Sequence, residues 1–179
     1  LAAGLHCAFA FPVMVSDEFY GVIELFGREP RECDEEVVRV TTQIASQIGQ
    51  FIARNRIRRA AYIGIRVFRD AIVENNRISR ACLRMTDCGG IYTFARDRRP
   101  LNTRIVRNQI SGLRGRLSHA IYLDDFANGV EVRDNQSQDN PGGMQLHNAF
   151  DNLIAGNRFT RSAHEHMLFN DQKHSEYLH

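Results

Sequence analysis

The feature that most constrains this chain is internal repetition. The stretch GGMQLHNAFDNLIAGNRF at 142–159 repeats, slightly distorted, the outline of HAIYLDDFANGVEVRDNQS at 119–137. Each opens on small or polar residues and an apolar-x-apolar run, then has a polar bend, a second apolar strand and an Asn. Aligning GGIYTFARD (89–97), HAIYLDDFA (119–127), GGMQLHNAF (142–150) and EHMLFNDQK (165–173) gives anchors at Ile91, Ile121, Met144 and Met167. By subtraction these stand 30, 23 and 23 residues apart. A second set, VENNRI, IVRNQI, VRDNQS and IAGNRF, holds one key Asn each: Asn76, Asn108, Asn135 and Asn157. The spacing varies only in polar stretches such as ARDRRPLN and SGLRGRLSH, and a stack of coils admits insertions in its loops.

Two apolar strands per turn, a bend Asn and no helical period predict a parallel β-helix from about Tyr62 onward. Strands stacked ~4.8 Å apart pair each backbone group with the coil above or below. Asn tolerates the left-handed bend and bonds to its neighbours in a ladder, so the four asparagines read as architecture rather than chemistry.

Residues 62–171, on AIYLDDFANGVEVRDN, GGMQLHNAFDNLIAGNRF and HMLFND, resemble bacterial right-handed parallel β-helix proteins of the pectate-lyase-like superfamily. That resemblance implies a right-handed β-helix of about four coils and, for many members, secretion and action on or binding to polysaccharides as lyases, epimerases, hydrolases or adhesins. Several reactions share the fold, so function has to come from the surface.

Strand alternation separates inside from outside. With Ile91, Ile121, Met144 and Met167 inward, Thr93, Leu123, Leu146 and Phe169 are inward too. The outward rows are then Tyr92, Tyr122, Gln145 and Leu168, and beside them Phe94, Asp124, His147 and Asn170. Ala95, Asp125, Asn148 and Asp171 follow at the bend. The functional reading is a shallow groove for an extended sugar polymer. Tyr92 and Tyr122 offer ring faces, Gln145, Asn148 and Asn170 offer hydrogen bonds, and Arg96, Arg98 and Arg99 can clamp uronate carboxylates. His147 is the candidate general base, with Asp124 or Asp125 orienting it. Asp124, Asp125 and Asp171 are the only candidate ligands for a Ca²⁺ ion, and no other cofactor is expected. The alternative is an ordinary solvated polar face, so catalysis stays open between a lyase, an epimerase, a glycoside hydrolase and no enzyme at all. Hydrolysis would need two carboxylates at a defined separation. A lysine base is nearly excluded, because the single lysine is Lys173.

Residues 1–59 lack the repeat. CAFAFPVMV (7–15) and YGVIELFG (20–27), separated by Ser16-Asp17-Glu18, predict an antiparallel hairpin, with Pro12 leaving one strand side unpaired. An amphipathic helix is expected over 34–58. Val37, Val40, Ile44, Ile48, Phe51 and Ile52 form its stripe, with acidic residues at its start and arginines at its end. GLHCAFAFPVMVSDEFYGVIELFGREPRECDEE and QIASQIGQFIARNR resemble the C-terminal half of a GAF domain over residues 4–56. The resemblance implies an α+β sensory remnant whose helix mediates homodimerisation or leads to an output domain. The fold class is thus mixed: a truncated segment over 1–59, then a mainly all-β solenoid over 60–179 whose open first coil the helix stripe is expected to cap.

The net charge is +2 and 43% of residues are hydrophobic, which excludes a disordered chain. No apolar run approaches the ~20 residues of a membrane span, so no membrane insertion is expected. The arginines at 54, 56, 58 and 59 read as a solvated helix end, so nucleic acid is not an expected partner; polysaccharide is. Cys7, Cys33, Cys82 and Cys88 show no zinc spacing, and the expected reading is small buried thiols, with a Cys82–Cys88 disulfide as the alternative. His164 and His166 sit at i, i+2, and a metal there is not expected. Leu1 is no initiator, and the expectation is a fragmentary or fused chain. Location is cytoplasmic if the GAF likeness governs and extracytoplasmic if the β-helix does. Three classes therefore remain: a carbohydrate-processing enzyme, a non-catalytic binding solenoid and a signalling fragment.

Overall fold

The computed structural model describes residues 7–15, 18–27, 36, 39 and 51–170. They fall into two compact units, Leu1–Phe51 and Ile52–His179. In the first, β1 (Cys7–Val15) and β2 (Glu18–Gly27) pair antiparallel, with a register shift between Val13 and Met14. The expected hairpin is therefore present. Pro12 lies opposite Val22 in this two-stranded sheet.

Of the helix expected over 34–58, residues 34–35, 37–38 and 40–50 lie outside the described residues, as does the packing of Val37, Ile44 and Ile48 on the first coil. Its C-terminal end is corrected. Phe51–Ala53 and Arg56–Arg58 are strands β3 and β4 of the solenoid. Isolated apolar residues around charged ones fit either period over so short a run, and pairing with the next rung decided the outcome.

Each turn of the solenoid contributes three strands. The first sheet stacks β3, β6 (Ile72–Glu74), β9 (Thr103–Val106), β12 (Val130–Arg133) and β15 (Leu153–Ala155). The second stacks β4, β7 (Arg77–Ser79), β10 (Gln109–Ser111), β13 (Gln136–Gln138) and β16 (Arg158–Thr160). The third stacks β5 (Ile65–Arg66), β8 (Asp87–Phe94), β11 (Leu117–Asp124), β14 (Gly142–His147) and β17 (Met167–Asn170). Pairing between rungs is parallel throughout. Two strands per turn is thus corrected to three; the five rungs are four steps from end to end, and about four turns stands. The sequences IVRNQI and VRDNQS had looked like one strand and a bend. They are two short strands joined by a two-residue corner.

That corner has a fixed grammar. Its first residue is left-handed at every rung: Arg54, Asn75, Arg107, Asp134 and Gly156 have φ between 54° and 65°. Asparagine follows each time, so the bend conformation belongs to the residue before the Asn, not to the Asn itself. The Asn side chains form the predicted ladder. Nδ2 of Asn76 donates to Oδ1 of Asn108, Asn108 to Asn135, and Asn135 to Asn157, each at 2.9 Å. Asn55 adds a fifth member at 3.0 Å. The second amide proton goes to a backbone carbonyl, Asn108 to Val73 and Asn135 to Ile105. Every polar atom of the central asparagines is satisfied inside the stack, which a buried amide requires.

The enclosed core is a column of Val73, Ile78, Ile91, Ile105, Ile110, Ile121, Leu123, Val132 and Met144, all essentially inaccessible. It loosens at the last rung, where Met167 and Phe169 are exposed. Cys82 and Cys88 form a disulfide across the longer connection between β7 and β8, with Cα atoms 5.9 Å apart. The expectation of free buried thiols is therefore corrected. Both sulfurs are buried, as expected, but the loop brings them within bonding reach.

Candidate functional site

The long strands of the third sheet position the site, and their alternation is broken once. Register pairs Ile91 with Ile121, Ile121 with Met144 and Met144 with Met167, as the repeat predicts. One residue earlier the pattern changes. A Cβ on Gly90 would meet the core side chain of Ile110 at 2.7 Å, so position 90 also faces inward. A Cβ on Gly89 would instead meet the Cβ atoms of Tyr92 and Tyr122 at 3.0 and 3.2 Å, on the outer face. Two consecutive inward positions, Gly90-Ile91, Ala120-Ile121 and Gly143-Met144, make a bend where only small residues fit. Beyond it His119 points outward, although strict alternation from Ile121 places it in the core.

The outer face therefore has three files. Gly89, His119 and Gly142 precede the bend. Tyr92, Tyr122, Gln145 and Leu168 form the middle row. Phe94 and Asp124 are partners, as are His147 and Asn170, in the last row. A cleft of about 520 Å³ lies over this face, with Tyr122, Gln145 and Leu168 on its floor.

Two histidine–carboxylate pairs flank that floor. On one side His147 Nδ1 lies 2.6 Å from Asp124 Oδ1 and 3.9 Å from Asp125. The Tyr92 hydroxyl donates to the other Asp124 oxygen at 2.6 Å. Burial, then the hydrogen bond to Asp124, raises the Tyr92 pKa well above its ordinary value, so the hydroxyl stays a donor. Tyr122 is raised too, first by burial and then by the charge of Asp124. On the other side His119 Nε2 meets Glu165 Oε1 at 2.7 Å. His119 is 4% exposed and its Nδ1 is buried with no partner among the described residues. An unpartnered lone pair is cheaper to bury than an unpartnered N–H, so Nε2 carries the proton and donates to Glu165. The His119 ring lies where a Cβ on Gly142 would collide with it, so the glycine in the next rung makes room for the imidazole.

Of the expected site residues, Tyr122, Gln145, His147 and Asn170 line the cleft, and Asp124 reaches it through His147. Asp125 sits behind the pair and accepts from Arg96 Nε at 3.3 Å. The two tyrosines do not lie side by side as open platforms. Their rings meet edge to face at 5.3 Å, and Tyr122 is 6% exposed. Arg96 packs over Phe94, Arg98 over Phe126, and Arg99 turns back to Asp97 at 3.6 Å; none of the three lines the cleft. Asn148 sits at a corner with φ 52° and its Oδ1 is buried without a partner among the described residues. Asp171 lies outside the described residues. His164 lines the cleft, whereas His166 turns to Ser162 at 3.0 Å.

The residues that alternation missed are His119, Glu165 and Asp87, which line the same cleft together with Arg116 just before β11. The signal that could have found them was the column of small residues at 90, 120 and 143. One donor atom from each of Asp124, Asp125 and His147 lies within 4.8 Å of the others. Two carboxylates and a nitrogen already bonded to one of them match a Ca²⁺ shell of six to eight oxygens poorly.

Among the described residues no helix is long and apolar enough to cross a membrane. No curated protein and no solved structure gives a significant match. A family model described as right handed beta helix region matches residues 42–176, well over half of the chain. The chain belongs to the right-handed β-helix family.

Proposed function

We propose that the third-sheet cleft binds a polysaccharide, including uronate-containing chains, and that its paired histidines and carboxylates move protons on the bound sugar. What carries the reading is the placement of two histidine–carboxylate pairs, His147–Asp124 and His119–Glu165, on opposite sides of one floor made by Tyr122 and Gln145. The floor supplies an aromatic edge and an amide, the combination that suits a sugar's C–H face and hydroxyls. Asp124, fixed by Tyr92, orients His147 as the proton acceptor. On the far side Glu165 holds the His119 Nε2–H, and that N–H is the proton this side of the cleft can return. That pairing serves cleavage or epimerisation equally. The Cys82–Cys88 disulfide supports an oxidising compartment for this unit.

The test is a glycan-binding screen over neutral and uronate polysaccharides with the full chain, beside Asp124→Ala/His147→Ala. Binding that the double variant loses, followed by new reducing ends or epimerised residues with the wild type alone, is the expected result. Equal binding by both proteins would move the site elsewhere.

A second reading attaches to the separate N-terminal unit. The reading is a GAF remnant that dimerises through the segment 34–58, and the antiparallel hairpin is the part of it that the described residues contain. A solution mass of one chain at micromolar concentration would remove that reading.

A further inference from the structure

The outer face of the second sheet carries a charge pattern unlike the rest of the solenoid. Register places Arg56 directly opposite Arg77, then Gln109, Gln136 and Arg158 in the same file. The neighbouring file runs Arg58, Ser79, Ser111, Gln138 and Thr160. The ten residues include no acid. Arg59 and Arg80 extend the positive edge at the adjoining corner, both left-handed and exposed. None of Arg56, Arg58, Arg59, Arg77, Arg80 or Arg158 has a carboxylate within ion-pair distance among the described residues.

The first sheet shows the ordinary solution to the same problem. There Arg104 lies opposite Glu131 and bonds it at 2.8 Å, Arg133 bonds the same carboxylate at 3.0 Å, and Arg107 reaches Glu74 at 2.7 Å. Like charges directly opposite across strands are destabilising. A chain of net charge +2 that neutralises one face and stacks Arg on Arg on the next has segregated its charge onto a binding surface.

The shape narrows the partner. Between the basic ends, Gln109, Ser111, Gln136, Gln138 and Thr160 border a cleft of about 320 Å³ that offers amides and hydroxyls. No aromatic side chain stands in either file, so the stacking platform that single-stranded nucleic acid uses is missing. Five rungs at ~4.8 Å give a straight track of roughly 19 Å between Arg56 and Arg158. A sugar residue in an extended chain is about as long as one rung, and the basic end presents Arg56, Arg58 and Arg59 on one rung and Arg77 and Arg80 on the next. Two anionic groups per sugar answer that density, whereas a polyuronate brings one. Guanidinium forks bind such oxyanions through paired N–H bonds.

We propose that this face binds a sulfated polysaccharide laid along the stack, with Arg56, Arg58, Arg77 and Arg80 gripping sulfate groups and the Gln and Ser files meeting hydroxyls. The site is separate from the third-sheet cleft and does not depend on the reading given to it.

The test uses heparin as the probe, titrated into the full chain at several salt concentrations. Wild type binds, and added salt weakens binding. Arg56→Gln/Arg77→Gln loses affinity by about tenfold or more. Its unfolding midpoint stays level or rises, because a like-charge pair is gone. Arg58→Gln/Arg80→Gln gives an independent second reading with the same expected loss. The decisive control is Arg104→Gln/Arg133→Gln, which removes two charges from the paired first-sheet face and leaves heparin binding unchanged. Asp124→Ala/His147→Ala also keeps it. Equal weakening by the first-sheet control would reduce the effect to net charge and overturn the proposal. So would loss of heparin by the third-sheet variant, or binding of polygalacturonate or single-stranded DNA by that variant, whose own cleft is disabled, as tight as its binding of heparin.

Discussion

At the corner between the first and second sheets, every rung carries an asparagine; in the last outward row of the third sheet, Phe94, Asp124, His147 and Asn170 never repeat. Both columns obey the same stacking geometry. What differs is whether identical neighbours are useful. An amide both donates and accepts, so Asn76, Asn108 and Asn135 bond to copies of themselves and close their own accounts inside the stack. A carboxylate cannot bond to a copy of itself, and Asp124 is completed instead by a histidine from the next rung and a tyrosine from the previous one. Repetition marks architecture here, and departure from repetition is where we place the chemistry.

The sharpest way to break that comparison is to remove the central rung of the ladder. Asn108→Ala removes the acceptor of the Asn76 backbone N–H and of one Asn76 side-chain N–H, and the side-chain donor to the Val73 carbonyl, in a fully buried column, while Asn135 Oδ1 keeps only the backbone N–H of residue 108. The expected loss is about 3 kcal/mol in denaturant unfolding. A loss below ~1 kcal/mol would mean that the ladder is ornamental.

In the longer connection between β7 and β8, a covalent bond adds to the backbone bonds that Cys82, Leu83 and Arg84 make to Tyr62, Ala60 and Ala61. Cys82→Ser/Cys88→Ser, with a sequence separation of 6 between the two positions, should cost about 2 kcal/mol by the loop-entropy relation. Equal midpoints with and without reductant in the wild type would contradict it.

The non-repeating column should be cheaper to alter. Asp124→Asn is expected to cost about 1 kcal/mol while removing the charge that helps hold Tyr92 protonated. Raised tyrosine pKa values add stability that is complete below the free-tyrosine value of ~10 and fades as pH climbs toward the folded values. Alkaline titration of tyrosine absorbance should therefore show Tyr92 and Tyr122 silent in the folded wild type, and Tyr92 ionising at lower pH in the variant. Identical titrations would disconnect Tyr92 from Asp124.

The smallest effect belongs to the paired first-sheet face. Hydrogen bonds from Arg104 and then Arg133 lower the pKa of Glu131. A depressed carboxyl contributes stability above its unfolded pKa and loses it as pH falls through the folded one. Arg104→Gln should therefore be slightly less stable than wild type at neutral pH, and the two should converge in acid. A gap that widens in acid would reverse the assignment.

Much of this was legible in the sequence. The register of Ile91, Ile121, Met144 and Met167 followed from the repeat, and with it the file that joins Asp124 to His147. The rest was hidden for identifiable reasons. His119 and Glu165 escaped because two inward residues in succession at Ala120 and Ile121 shift the alternation by one. The third strand per turn escaped because a left-handed residue plus Asn consumes only two positions. Arginines at 54, 56, 58 and 59 resembled the cationic end of a helix, yet they occupy two corners and the outward positions of a three-residue strand.

The most direct test of the central claim is the glycan-binding isotherm of His147→Ala, measured beside its denaturant unfolding curve. The account predicts an unchanged midpoint within about 1 kcal/mol together with loss of saccharide binding in the third-sheet cleft. Binding that survives the substitution intact, or an unfolding loss as large as that of Asn108→Ala, would show that the non-repeating column is structural after all.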